Sequence, residues 1–204
     1  MLVTEIAEIT KSKVKICIDY QISFALYKGE LRKYGIKKEE ELSEEIYNMI
    51  LKEVLPKRAK LRCMNLLKSR DYTKFQLEQK LKQNHYPEEV IAEALRYVQS
   101  YGYIDDIRYA KNYIISANNS KSRKQITLDL MRKGISKEDI ETAYGLCEEE
   151  EPLVEEEALI EKLLVKKHYC RQEATLQERQ KIIRFLFRKG FSLDKIYKAV
   201  GQEY

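Results

Sequence analysis

The stretch LMRKGISKEDI, Leu130 to Ile140, returns as LFRKGFSLDKI, Leu186 to Ile196, 56 residues later. A chain that rewrites a local pattern in register rewrites a unit of structure, which narrows the possible folds sharply. The copies agree where residues have physical tasks. Ile126, Leu130, Gly134, Ile135, Ser136, Ile140 and Ala143 match Ile182, Leu186, Gly190, Phe191, Ser192, Ile196 and Ala199. Ile126 and Leu130 are four apart, on one helix face. Gly134 supplies the left-handed residue that stops the helix, and Ile135 folds back on Leu130. Ser136 caps the next helix, with Asp139 completing a capping box. The local pattern predicts helix, tight corner, helix, with positive φ at both glycines.

A weaker third copy, FQLEQKLKQNHYPEEVIAEAL, lies 49 residues before the Leu130 copy and places Leu77, Leu81, His85, Tyr86, Ile91 and Ala94 on the template. His85 takes the glycine's place, since histidine enters the left-handed region more readily than most residues. Pro87 stands where the serine capped and suits a helix start. The spacing leaves room for one more helix per unit, over Ala59–Arg70, Asp105–Asn118 and Val154–Arg171, with Ser116–Ser122 as a loop. The expected fold is mainly α: three tandem three-helix repeats in an elongated arc.

The first 55 residues follow a different rule. Lys13–Asp19 alternates, with Val14, Ile16 and Ile18 on one face, and Val3–Thr10 and Ile22–Tyr27 are its neighbours in a small N-terminal antiparallel β element. Leu42–Leu55 returns to helix behind Ser43, Glu44 and Glu45 as cap and first-turn acids. The chain thus divides into a β-containing extension (1–55), repeat 1 (56–103), repeat 2 (104–147), and an acidic linker with repeat 3 (148–204), Pro152 marking the last join. A fragment beginning at Pro56 is expected to stay helical and soluble.

Charge sharpens this division. Residues 1–55 carry net −1, residues 56–146 net +7, and residues 158–204 net +6, while CEEEEPLVEEE between them holds seven acids and no base. Two basic blocks around an acidic spacer suit a polyanion, although solvated helix faces and an exposed linker account for such runs equally well. The start has no signal-peptide pattern, and no apolar run is long enough to span a membrane. Cys17, Cys63, Cys147 and Cys170 are widely spaced, which argues against zinc and for free thiols in a reducing cytosol.

Catalysis finds no support. His85 is a helix stop, His168 is expected on a helix surface, and Asp105 and Asp106 open a helix, where acids complement its dipole. No glycine-rich phosphate loop, HExxH or GxSxG occurs, so no catalytic, cofactor or metal residues are assigned. Binding is better supported. Among 15 tyrosines many alternate with cations, as in RYVQSYGY and RYAKNYI, a pattern suited to single-stranded nucleic acid but also to tyrosines that pack helices together. In ERQKIIRFLFRK, Lys181, Arg184 and Arg188 recur at i, i+3 and i+7 as an outward stripe, with Ile182, Ile183, Leu186 and Phe187 on the other side. Arg123, Lys124, Arg132 and Lys133 of the preceding repeat are scattered around their helix.

These motifs resemble the RecX family of bacterial proteins that modulate the RecA recombinase. The family's first-unit pattern is met by Leu67, Arg70, Thr73, Leu77 and Leu81. Its Gly-Tyr-[Leu/Ile]-Asp-Asp element stands as Gly102, Tyr103, Ile104, Asp105 and Asp106, followed by Tyr109 and Ala110, and its corners as Lys133–Ile135 and Lys189–Phe191. The resemblance covers residues 56–204 best. Many relatives carry glycine at Ser122 and glutamate at Gln76. It implies a cytoplasmic, non-enzymatic monomer that binds RecA and its filament on single-stranded DNA. Such a protein limits strand exchange, ATP hydrolysis and co-protease activity in DNA repair and the SOS response, with weak direct DNA binding, no cofactor and no membrane. A free-standing DNA-binding module, or a helical scaffold for another protein, remains open beside it, and salt dependence separates DNA contacts from a protein interface.

Overall fold

The computed structural model describes residues 1–150 and 153–201, so the Pro152 join lies outside the described residues. The chain forms two compact units, Met1–Asp105 and Asp106–Tyr204. No helix among the described residues is long and apolar enough to cross a membrane.

The first unit opens with the expected meander: β1 (Val3–Glu8), β2 (Lys13–Ile18) and β3 (Ile22–Tyr27), antiparallel in the order β1-β2-β3. Ile16 sits opposite Ile6 and Phe24, and Val14 opposite Leu26. The alternation therefore puts Val14, Ile16, Ile18, Phe24 and Leu26 on one buried face. A helix that the sequence pattern does not announce, α1 (Lys28–Tyr34), follows directly and stops at Gly35 with φ +66°. The Glu30 carboxylate accepts the Tyr27 N–H at its start and also meets Arg58.

Ser43 caps α2 (Glu44–Met49) as expected, its hydroxyl accepting the Ile46 N–H. The helix does not end before Pro56. It passes through a π turn over Ile50–Val54 into α3 (Leu55–Leu67), with the Leu55 N–H donating to the Ile50 carbonyl. Pro56 has no N–H to offer Lys52, and widening the turn accommodates the gap. α4 (Lys74–Lys82) and α5 (Glu88–Ser100) complete the first repeat. Thr73 and Gln76 form a reciprocal capping box at α4, and Pro87 stands at the N-cap position of α5 without a side-chain cap.

The boundary drawn at Pro56 is consequently not a division of this fold. Pro56 is itself buried, and one apolar cluster runs from Val3, Ile16 and Phe24 through Leu55 and Cys63 to Leu81, Val98 and Ile104. A chain beginning at Pro56 would leave the helical half of that core open to water. We expect such a fragment to aggregate or to lose its α3–α5 helicity, contrary to the sequence expectation. Circular dichroism and sedimentation of the fragment check this, and a soluble, helical fragment would show that the repeat closes its core unaided.

The second unit holds α6 (Asp106–Ala117), α7 (Arg123–Arg132) and α8 (Lys137–Glu150), then α9 (Glu156–Lys166), α10 (Leu176–Arg188) and α11 (Leu193–Val200). Each trio encloses its own core: Ala110, Ile114, Ile126, Leu130, Ile140 and Tyr144 in one, Leu159, Ile160, Leu186, Phe191 and Ile196 in the other. The acidic run reads differently from its expected linker, since its first four residues close α8 as helix.

The corners take the predicted form. Gly134 has φ +83° and Gly190 φ +88°. The N–H groups of Tyr86, Ile135 and Phe191 donate five residues back to the carbonyls of Leu81, Leu130 and Leu186. His85 occupies the glycine position at φ +59°. His168, expected on a helix surface, is instead a second left-handed histidine at φ +53°, past the end of α9, with Tyr169 donating to Leu164. At the next helix starts, the Ser136 hydroxyl accepts the Asp139 N–H, whereas Ser192 makes no side-chain cap.

Candidate functional site

The seven basic residues singled out from the sequence fall into two electrostatic groups. On α10, Lys181, Arg184 and Arg188 are all exposed, and among the described residues none has a carboxylate within ion-pair distance. The nearest candidate along the helix, Glu178, is held by the capping box: it accepts the Thr175 N–H at 2.9 Å and the Thr175 hydroxyl at 2.8 Å. Those bonds to Thr175 keep its carboxyl below the usual range. Ile182 and Ile183 are half-buried and Leu186 fully buried on the opposite side, so the packing of α10 fixes the stripe outward.

Phe187 departs from its expected place. It is 58 % exposed and belongs to the outer surface, not to the buried side. The reason is angular: Ile182 and Leu186, four apart, take the inward direction, and Phe187, three residues from Arg184, lies beside that arginine. Leu176, eleven residues earlier on the same helix, is also exposed. The outward surface of α10 thus combines three unpaired cations with apolar side chains.

On α7 the picture is different. The Arg123 guanidinium donates to Glu148 at 2.9 Å and Glu141 at 3.1 Å, and lies 4.0 Å over the Tyr144 ring. The Arg123 backbone N–H meets Glu156 at 3.2 Å. Arg132 pairs with Asp129 at 3.5 Å, and the Lys133 ammonium sits over the rings of Tyr109 and Tyr113. Only Lys124 of the four is exposed with no ion pair among the described residues. The carboxylates that occupy Arg123 come from α8, 18 and 25 residues away, which is why the sequence pattern did not reveal them.

Asp129 is the hub of this internal network. Its carboxylate accepts from Lys121 at 2.8 Å, Gln125 at 2.9 Å and the Tyr113 hydroxyl at 3.1 Å. Burial alone would raise its pKa, but the bonds from Lys121, Gln125 and Tyr113 outweigh burial and hold it below the usual range. A depressed carboxyl pKa gives stability that is present above the unfolded-state value of about 3.9 and fades as pH falls through the folded value. Asp129→Asn should therefore be less stable than the parent at pH 7, by about 1–2 kcal/mol. The gap should close below about pH 4. Urea unfolding across that range checks it; a gap independent of pH would mean the carboxylate charge is not the cause.

Cys63 and Cys147 are buried, and burial pushes the Cys63 thiol up to about 11. Neither is poised for chemistry. Burial likewise pushes the Tyr144 hydroxyl up to about 12; it donates to the Arg123 carbonyl at 3.3 Å.

Three family models match: the RecX first three-helix domain over residues 59–97, the second over 105–143 and the third over 155–200. The chain is 31 % identical to the regulatory protein RecX of Caldanaerobacter subterraneus subsp. tengcongensis, over 98 % of this chain and 99 % of the relative. Among solved structures, a crystal structure of regulatory protein RecX superposes with a TM-score of 0.60 at 26 % identity, covering 99 % of both chains. RecX from Lactobacillus salivarius superposes with a TM-score of 0.56 at 26 % identity, over 72 % of this chain and 96 % of that one.

Proposed function

The chain belongs to the RecX family of regulatory proteins, and from that premise we propose that it binds RecA and the RecA filament on single-stranded DNA and lowers the filament's activity. The observation that carries the reading is the α10 surface. Lys181, Arg184 and Arg188 stand exposed in a row, none of them in an ion pair among the described residues. Such a row suits the phosphates of filament-bound DNA or an acidic protein surface. Lys124 is a further contact on α7, while Arg123, Arg132 and Lys133 would have to leave internal partners to join it. In this reading the protein acts in the cytoplasm as a non-catalytic regulator, restraining recombination, ATP hydrolysis and co-protease action in DNA repair.

The test is the DNA-dependent ATPase rate of RecA on single-stranded DNA, titrated with this protein. The rate should fall and saturate. An unchanged rate, with bare-DNA binding that drops steeply with salt, would instead favour a free-standing DNA-binding module.

A further inference from the structure

Away from α10, at the end of α5, three tyrosines stand in the open. Tyr97, Tyr101 and Tyr103 are 38 %, 63 % and 46 % exposed. The Tyr97 and Tyr101 ring centroids are 4.9 Å apart and tilted; Tyr101 and Tyr103 are 5.9 Å apart and only 18° from parallel. This ladder is not a fraying terminus. Gly102, at φ +67°, turns the chain between Tyr101 and Tyr103, and the Tyr103 N–H donates to the Val98 carbonyl at 3.0 Å. Val98 before the corner and Ile104 after it are buried, so the core grips both ends of the turn. The backbone that carries the rings is thereby fixed before any ligand arrives, which reduces the ordering entropy lost on binding.

The core does not use these rings, and their surroundings are basic. The Lys60 ammonium lies 5.1 Å over the Tyr97 ring while pairing with Glu93 at 2.7 Å. Arg96, next in sequence to Tyr97, is exposed with no ion pair among the described residues. Residues 56–103 carry 10 basic and 5 acidic side chains. Open aromatic faces in a cationic setting fit a strand that stacks its bases on rings while its phosphates meet cations.

We propose that Tyr97, Tyr101 and Tyr103 form a stacking platform for the unpaired bases of single-stranded nucleic acid, with Tyr101 and Tyr103 as the primary contacts. The contact is tolerant of sequence, because every base offers a π face. It goes beyond the filament reading, and its test contains no recombinase, so either can fail without the other.

The probes are a thymidine oligonucleotide and an abasic strand of the same length and charge, each titrated with the full chain at fixed salt. The unaltered protein should bind the base-containing strand about tenfold more tightly. Equal affinity for the two strands would overturn the proposal without any mutation. Tyr101→Ala with Tyr103→Ala should remove most of that preference and leave abasic binding and the salt slope as they were. Tyr101→Phe with Tyr103→Phe should keep it, since the ring and not the hydroxyl carries the contact. Equal loss on both strands would point to a phosphate or folding effect, and loss of filament suppression with the base preference intact would point to a protein partner. Either result overturns the platform. The exposed rings should leave the thermal midpoint nearly unchanged, which verifies that the alanine variant is folded.

Discussion

Gly190→Ala should lower the stability of the second unit by about 3 kcal/mol, more than most single methyl additions do. Two costs combine. The residue sits at φ +88°, where a side chain is strained by about 1–2 kcal/mol. An added Cβ would also lie 2.5 Å from the Ser122 hydroxyl oxygen, 3.0 Å from the Gln125 Cβ and 3.2 Å from the Gln125 backbone nitrogen. Ser122 cannot easily retreat. It is fully buried, its hydroxyl accepts the Gln125 N–H at 3.2 Å to start α7, and its own N–H donates to the Lys189 carbonyl at 3.2 Å. Moving it would break a helix cap, itself worth about 1 kcal/mol. Gly102→Ala is the control: it shares a positive φ, but its Cβ would meet nothing within 4 Å, so only the strain should remain. Adding Ser122→Gly to Gly190→Ala should relieve the collision and make the pair less destabilising than the sum of the two single changes. Urea midpoints decide. If Gly190→Ala and Gly102→Ala cost the same, the approach of the two helix ends is not the constraint described.

The largest functional effect should come from reversing Lys181, Arg184 and Arg188 together to glutamate. None is a core position, so far-UV circular dichroism should be unchanged, while the formal net charge falls from +5 to −1. If these residues meet phosphates, affinity for single-stranded DNA should drop, and the log–log salt slope should shrink by about 0.7 for each phosphate no longer neutralised, about 2 in all. If they meet an acidic face of RecA, bare-DNA affinity should hold while suppression of the filament ATPase disappears. A triple variant equal to the parent in both assays removes α10 from the functional surface. Arg123→Glu gives the contrast: with Glu141 and Glu148 both on Arg123, its reversal should destabilise the fold before it affects binding.

The parts of this molecule that could be read from sequence are those set by neighbours in the chain. Gly134, Gly190 and His85 announce helix stops because positive φ is a property of one residue and its next few hydrogen bonds. Val14, Ile16 and Ile18 announce a strand because alternation is local. What escaped depends on distance or on small angles. Arg123 looks like a free cation until α8 folds beside it. Phe187 reads as core because it adjoins Leu186, yet about 100° of helix rotation per residue carries it outward. His168 sits in a charged run with nothing to mark a stop, and α1 is too short to show a period. The Tyr97–Tyr101 pair follows from four-residue helical spacing, but only the turn at Gly102 brings Tyr103 alongside Tyr101.

The shared core of the first unit bears on how the chain folds as it is made. A ribosome releases β1, β2 and β3 first, yet the cluster that buries Ile16, Phe24 and Leu26 is complete only with Val98 and Ile104. At about 5–20 residues per second, the roughly 70 residues between β3 and the end of α5 take about 4–14 s to appear. Tyr34, Leu42 and Tyr47 of the same cluster emerge early in that interval, but the core they begin stays open toward α4 and α5, a window for chaperone capture or for pairing with another nascent copy. In the second unit each trio closes its own core over a shorter stretch of chain, while the Ser122–Lys189 join still waits for α10.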